Sequence, residues 1–206
     1  MKKTASILSV VTALILSPPS GLATAEEQSA TEDVLTAQIL KEGSDIAWGQ
    51  AVLVVDRPIT DVLPIIRDYG NYVQFVPHFT RSQVLAQRGS RALVYVEVSV
   101  AKGAFTLWGQ LALAEHTAKG DSHVVEALLM EGNINAFNAR WTLTPVNDGA
   151  HTRLSFELYV DPDMPMPSSI FSRQNEKAAA RMVRAIRSRA VGATPPLAER
   201  RFGNSG

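Results

Sequence analysis

The sequence has no cysteine among its 206 residues. Without thiols, the chain can form neither a disulfide bond nor a thiolate metal site. Small secreted domains often depend on disulfides, whereas this chain must be stabilised by the packing of its apolar side chains.

An excess of charge of one sign is also missing. The chain has 20 Lys and Arg against 20 Asp and Glu, so its formal net charge is 0. Proteins that bind nucleic acid usually carry a basic excess that neutralises phosphates. The composition therefore predicts no nucleic-acid partner.

No apolar run reaches the roughly 20 residues that a transmembrane helix needs. One shorter run, from Ala5 to Leu16, follows two lysines and precedes an A-x-A cleavage site at residues 23–25. This order is typical of a secretory signal peptide. We expect residues 1–25 to be removed and the mature protein to be periplasmic or secreted. Retention of the run as an uncleaved membrane anchor is the alternative.

The mature chain divides into three segments. Residues 26–43 are polar with a weak helical pattern, which predicts an N-terminal arm that is either a short helix or a loose segment. Residues 44–191 carry the stronger apolar patterns and form the predicted domain. Residues 192–206 follow the helix that ends the domain, and they are predicted to be a disordered tail.

The predicted domain is built mainly of strands. It begins with a strand over residues 46–56, a short helix over 59–66 and an aromatic turn or second small helix over 72–79. Six further strand-like runs follow, separated by short turns: 82–86, 92–100, 105–115, 123–130, 137–144 and 152–160. Such short connections require antiparallel pairing, because a parallel crossover needs about a dozen residues. The pattern predicts an α+β fold with a curved antiparallel sheet of about six or seven strands.

The strand-like runs alternate between apolar and polar residues. In the run 92–100, Val94, Val96 and Val98 alternate with Tyr95 and Glu97. Alternation with period two places the two sets on opposite faces of a sheet. The sequence therefore predicts one buried face and one solvated face.

A long C-terminal helix is predicted over residues 168–191, with a length of about 36 Å. Alanines such as Ala178 and Ala179 occupy the middle of its apolar side. We expect the helix to cover the buried sheet face and its alanines to leave apolar space beneath. Its other sides carry basic residues that either attract an anionic membrane surface or face solvent. They are Arg173, Lys177, Arg181, Arg184, Arg187 and Arg189.

The element order and two segments resemble the START-like (SRPBCC, helix-grip) superfamily. Residues 67–77 with 82–85 are similar to its pattern D-x-x-x-Y-x-x-F-x-P … S-x-V-L. Residues 141–145 with 149–154 are similar to its pattern W-x-L-x-P … G-x-T-x-L. The resemblance extends over most of the mature chain and favours the branch of coenzyme-Q-binding and polyketide-cyclase-like proteins. It implies an apolar cavity between the sheet and the long helix, which relatives use for lipids, quinones, sterols or polyketides.

Within that resemblance, nine residues are candidates for ligand binding. They are Tyr72, Phe75, Phe79, Val96, Phe137, Trp141, Phe156, Ala178 and Met182. The first three belong to the segment that the resemblance places near the cavity mouth. For each aromatic residue the alternative is an ordinary core position, and this alternative is favoured for Trp141.

Catalytic groups and metal ligands are harder to assemble. Four charged residues invite grouping as a catalytic cluster: Glu97, Glu126, Arg140 and Glu157. The alternation places all but Glu126 on the solvated face, where cross-strand ion pairs are ordinary. His116 and His123 flank one turn, but no third ligand lies nearby in the sequence. We therefore assign no catalytic residue, no metal and no cofactor.

The sequence favours an exported protein that binds a hydrophobic small molecule, such as a lipid, an isoprenoid or quinone, or a polyketide-like compound. It would carry or sequester this molecule without chemical turnover. One alternative is an enzyme of the polyketide cyclase or dehydratase type that uses the same cavity. A second is a periplasmic protein-interaction module that docks through Trp108 or the basic helix. No sequence feature defines the oligomeric state.

Overall fold

The computed structural model describes residues 34–192. The predicted signal peptide, most of the predicted arm and nearly all of the predicted tail lie outside the described residues. Among the helices within residues 34–192, none is both long and apolar enough to cross a bilayer.

Eight strands form one antiparallel sheet, which confirms the predicted α+β helix-grip fold and has one strand more than the larger of the two predicted numbers. The strands are β1 (Leu35–Ile39), β2 (Trp48–Val55), β3 (Phe79–Arg88), β4 (Arg91–Val100), β5 (Phe105–Thr117), β6 (His123–Gly132), β7 (Ala136–Val146) and β8 (His151–Asp161). Their order across the sheet is β1-β2-β8-β7-β6-β5-β4-β3. The chain therefore runs as a meander from β3 to β8, and β8 then closes against β2.

The additional strand is β1, at one edge of the sheet. The sequence predicts a short helix or a loose arm here, and the helical interpretation is wrong. Residues 35–39 instead pair antiparallel with β2, for example Thr36 opposite Ala51. A weak helical period in a polar segment gives little stabilisation, whereas the free edge of β2 offers a full set of backbone partners.

Three helices accompany the sheet. Two short ones follow β2 as predicted: α1 (Ile59–Arg67) and, after a 3₁₀ turn, α2 (Tyr72–Phe75). The long helix is α3 (Ser168–Gly192), whose range matches the sequence prediction to within one residue. Pro64 lies inside α1 without ending it, and Val62, Leu63 and Ile66 of this helix are buried.

The first half of α3 is held tightly against the start of β2. A Cβ atom on Gly49 would lie 2.1 Å from the carbonyl carbon of Asn175, so only glycine allows this approach. The side chain of Asn175 donates to the carbonyl of Ala47 (3.1 Å), and the amide of Ala47 donates to the hydroxyl of Ser172 (2.9 Å). These contacts fix the position of the helix on the sheet.

Most alanines of α3 are buried packing contacts, and only Ala178 among them is half-buried. Ala179 has an exposed fraction of 0% and belongs to the main hydrophobic core, together with Val183 and Ile186. The expectation of empty space beneath these alanines is therefore wrong at Ala179. The closest approach of α3 to β2 lies one turn earlier on the helix, where the backbone of Asn175 meets Gly49.

Candidate functional site

The face of the sheet that α3 covers, here called the inner face, is not covered evenly. The helix packs against β1, β2, β8 and α1. Among the described residues, β3 to β7 make no comparable contact with its backbone. Side chains alone close the distance to β6 and β7, through a core cluster that includes Val125, Trp141 and Leu143.

Two of the predicted ligand-binding residues lie inside that core. The rings of Trp141 and Phe156 stack with 4.0 Å between their centroids, and only 5% and 2% of the two side chains are exposed. Their positions match the core interpretation that the sequence analysis kept as its alternative. Direct contact of either ring with a ligand stays a prediction.

A second part of the inner face is apolar but only half-buried. It lies toward the end of the sheet where β4 meets β5, and its members sit on consecutive neighbouring strands. We call it the open apolar face: Val96, Val98 and Val100 of β4, Leu107 of β5, Leu129 of β6 and Phe137 of β7. Val98 is directly opposite Leu107, and Leu129 is opposite Leu111, which itself is opposite Val94. Because Val94 is a core residue, this register places the set on the inner side.

Gly109 makes room within this surface. It faces Val96 across the β4–β5 pair, and a Cβ atom in its place would lie 2.9 Å from Cδ1 of Leu129. The leucine side chain therefore extends over the glycine. Sequence alternation alone identifies Gly109 only as a gap in the apolar pattern.

Aromatic and helical residues border this surface, and we call them the aromatic wall; Phe79, the first residue of β3, pairs directly with Val98. Phe75, Phe79, Ala178 and Met182 are half-buried and pack against the edges of the core. Phe75 and Met182 contact both the main cluster and a second cluster built around Tyr69, Tyr72 and Val94. The structure thus brings together six of the nine predicted site residues as half-buried apolar groups, since Val96 and Phe137 belong to the open apolar face.

Tyr72 organises this aromatic wall from within. Its ring meets those of Phe75 and Phe79 edge-to-face, with centroid distances of 5.4 and 5.6 Å. Its hydroxyl donates to the carbonyl of Ile66 at 2.6 Å, so it is satisfied inside the protein. Burial raises the pKa of Tyr72 well above its ordinary value.

A polar cluster closes the other end of the inner face, where β5 turns into β6. Glu115 accepts hydrogen bonds from Nε of Arg67 (2.8 Å) and from the hydroxyl of Tyr69 (3.3 Å). Burial, with the neighbouring Glu115 carboxylate, raises the pKa of Tyr69. Sequence reasoning missed this cluster. The alternation of β5 could have indicated it, because Glu115 occupies the next inward-facing position after Leu111 and Leu113.

Two surface depressions are lined by described residues. One, of 480 Å³, is formed by Pro64, Ile65, Arg67, Asp68 and Arg189. The other, of 320 Å³, is formed by Val54, Asp56, Arg187 and Val191. Neither includes a predicted ligand-binding residue, so both are separate from the open apolar face.

The charged residues considered for catalysis lie on the outer face. Arg140 pairs with Glu126 at 2.7 Å, and the hydroxyl of Tyr95 donates to Glu97 at 2.7 Å. Glu157 accepts from Lys41 and Gln50. The pairs Arg140–Glu126 and Gln50–Glu157 join neighbouring strands, whereas Tyr95 and Glu97 lie two residues apart on β4. All of these side chains point away from the apolar inner face. Trp108, also on the outer side, is half-buried and stacks on Tyr95 at 6.0 Å.

His116 and His123 do not point toward each other. Thr117 is the partner of His123 in the β5–β6 register, and His116 faces Val124. Because consecutive residues of a strand point to opposite faces, the two imidazoles lie on different sides of the sheet. Within residues 34–192, no group of three or more His, Cys, Asp or Glu side chains is arranged to hold a metal.

Comparison with known proteins identifies the family. The sequence model of the family described as "Polyketide cyclase / dehydrase and lipid transport" matches residues 55–187. The chain belongs to this family. It is therefore a START-like domain of the SRPBCC superfamily, in agreement with the resemblance seen in the sequence. Among curated protein sequences, none matches the chain.

Solved structures show the same fold at low sequence identity. A STAR-related lipid transfer protein from Xanthomonas axonopodis has a TM-score of 0.69 and 18% identity, covering 78% of this chain and 94% of that one. Human StAR-related lipid transfer protein 5 has a TM-score of 0.66 and 10% identity, with coverages of 78% and 83%. The Zhui aromatase/cyclase from Streptomyces has a TM-score of 0.53 and 12% identity, with coverages of 70% and 93%. Family and fold together support a hydrophobic ligand or lipid as the kind of partner of this START-like domain.

Proposed function

We propose that this START-like domain is an exported binding protein that holds a hydrophobic small molecule between its sheet and α3. The molecule is a lipid, an isoprenoid or quinone, or a polyketide-like compound, and the protein carries or sequesters it without chemical turnover. The observation that supports this proposal most directly is the open apolar face, a half-buried apolar surface whose Val96 packs against the same cluster as the half-buried Phe75, Phe79 and Met182.

Burial of apolar area supplies the affinity in this proposal. Each Å² of apolar surface removed from water stabilises a complex by about 25 cal/mol. The six side chains of the open apolar face carry no polar atom, so they favour many apolar shapes about equally. We therefore expect broad tolerance of ligand structure.

The arrangement of polar groups argues against turnover. Along the described inner-face positions of β4 to β7, ionisable side chains occur only at the closed end, at Glu115 and His123. Glu115 is engaged by Arg67 and Tyr69. General acid–base catalysis requires a group within hydrogen-bond reach of the reacting atoms. A ligand on the open apolar face would lie beside valine, leucine and phenylalanine side chains.

Contact with an anionic membrane surface is part of the proposal. In an antiparallel sheet, the β4–β5 turn and the loop after β8 lie at the same end. Phe105 follows the first of these and is 54% exposed, and Met166 in the second is 45% exposed. Lys102 adds a positive charge to the turn. Apolar and basic residues at the open end suit the interface of an anionic bilayer.

Two consecutive residues of β6 provide a matched test. Leu129 belongs to the open apolar face, whereas Leu128 points outward and is 53% exposed. We expect Leu129→Asn to weaken the binding of a neutral apolar fluorophore such as Nile red by about tenfold, and Leu128→Asn to leave it unchanged. Equal binding by the wild type and both variants would overturn the proposal. Mass spectrometry of lipid extracted from the purified protein would identify the ligand.

The family description and the fold shared with an aromatase/cyclase favour one alternative function, a polyketide cyclase-type enzyme. Its acid–base groups would have to come from the closed end. Tyr69→Phe and Glu115→Gln test this alternative, with a linear poly-β-ketone analogue as substrate. Conversion of the analogue by the wild type, lost in either variant while binding is retained, would establish the enzyme. If the wild type does not convert the analogue, the result favours the carrier function over the enzyme.

A further inference from the structure

We propose that the ligand is an anionic amphiphile, with an apolar chain on the open apolar face and a single carboxylate or phosphate head bound by Arg181 of α3. This inference rests on the proposed binding function and specifies the chemistry of its ligand. It concerns the head of the molecule, for which the apolar surface itself provides no partner.

Arg181 lies on the side of α3 that adjoins the aromatic wall. It follows Ala178 by three positions and precedes Ala185 by four, so the three residues share one helix face. Ala178 packs against the main core cluster, and Ala185 belongs to the cluster of Tyr69, Tyr72 and Val94. Side chains on a helix lean toward its N-terminus, which directs Arg181 over the turn that carries Ala178.

Within residues 34–192, no acidic side chain pairs with the guanidinium of Arg181. The side chain is half-buried, yet it forms no hydrogen bond or ion pair with any residue that the structure describes. Two other arginines do have acidic partners. Arg67 of α1 pairs with Glu115, and Arg189 in the last turns of α3 lies 4.0 Å from Asp68. Burial without a partner lowers the pKa of Arg181. A partly desolvated cation with free donors gains free energy when an anion enters its site.

No acidic side chain of α3 is available to Arg181. The single acid of this helix is Glu176, whose two oxygens accept hydrogen bonds at 2.7 Å from Thr36 and Gln38 of β1, on the other side. Lys177 and Arg184 lie one turn from Arg181 and add positive charge. Residues 72–75 of α2 contribute no acid. The positive charges around Arg181 therefore attract an anion, and neither α3 nor α2 supplies an acidic side chain that would take its place.

Three ligands with the same alkyl chain test the inference: hexadecanoate, hexadecyl phosphate and hexadecanol, each competing with Nile red for the purified protein. We expect at least one of the two anions to bind about tenfold more tightly than the alcohol. Arg181→Met keeps the apolar stem and should abolish this preference without weakening the alcohol. Arg181→Lys should retain part of it. Arg173→Gln, an exposed position two turns earlier on the same helix, is the matched control.

The outcomes separate the two proposals. If Nile red and all three ligands fail to bind, the proposed function itself is lost. If the three ligands bind the wild type equally, only the anionic head is refuted. Equal weakening of alcohol and anions by Arg181→Met would make Arg181 a packing residue and also refute it. Should that variant not fold, loss of the anion preference of the wild type at high salt supports the ion pair, and its persistence refutes it.

Discussion

The two halves of the inner face present the same kinds of side chain and differ in what lies over them. Over β2 and β8, the backbone of α3 is close enough that Gly49 has no room for a Cβ atom. Over β4 to β6, apolar side chains such as Val98 and Leu107 remain half-buried. One sheet thus provides both a hydrophobic core and an apolar surface that is still available. The position of a single helix decides between the two.

We expect the largest loss of stability from a substitution that disrupts the contact between α3 and β2. Gly49→Val places a branched side chain against the backbone of Asn175, and we expect the free energy of unfolding to fall by about 3 kcal/mol. Urea denaturation measures it. Gly70 is the control, because nothing lies within 4 Å of its missing Cβ atom and Gly70→Ala should change stability by less than about 0.5 kcal/mol. Similar losses at both glycines would contradict the tight approach of α3 to β2.

A pair of leucine truncations sharpens the comparison. Leu154 of β8 is fully buried, so Leu154→Ala should cost about 3 kcal/mol of stability. Leu107 is half-buried on the open apolar face, and Leu107→Ala should cost less than about 1 kcal/mol while weakening Nile red binding about fivefold. Thermal unfolding and probe titration report the two quantities. Equal stability losses would mean that both halves of the face are equally covered.

The sequence defined the strands well because turn residues and alternation mark them independently. It missed β1, because a five-residue polar edge strand has neither signal. The site was harder to predict. Alternation tells which face a valine occupies, but whether Val98 is covered depends on where a distant helix rests. Alanine is equally ambiguous, since it can leave space or pack closely, and only the fold shows that Ala179 is fully buried in the main core.

The smallest expected effect concerns the closed end. Burial and the nearby Glu115 carboxylate raise the pKa of Tyr69, so the folded protein keeps this phenol protonated at a pH where the unfolded chain ionises it. The corresponding stability is present below about pH 10 and is lost as the pH rises further. We expect Tyr69→Phe to make the decline shallower in urea denaturation between about pH 9 and 11. An unchanged slope would mean that Tyr69 ionises as it does in water.

The close approach at Gly49 also determines which parts of the molecule can give way. The first turns of α3 are clamped to β2 by Asn175 and Ser172 and cannot lift without breaking buried hydrogen bonds. Because this part of α3 is held in place, we expect a ligand wider than the space beside the open apolar face to displace Phe75 and Phe79, or the turn beside Phe105. In that case the start of α3 would stay in place, and the aromatic segment would move.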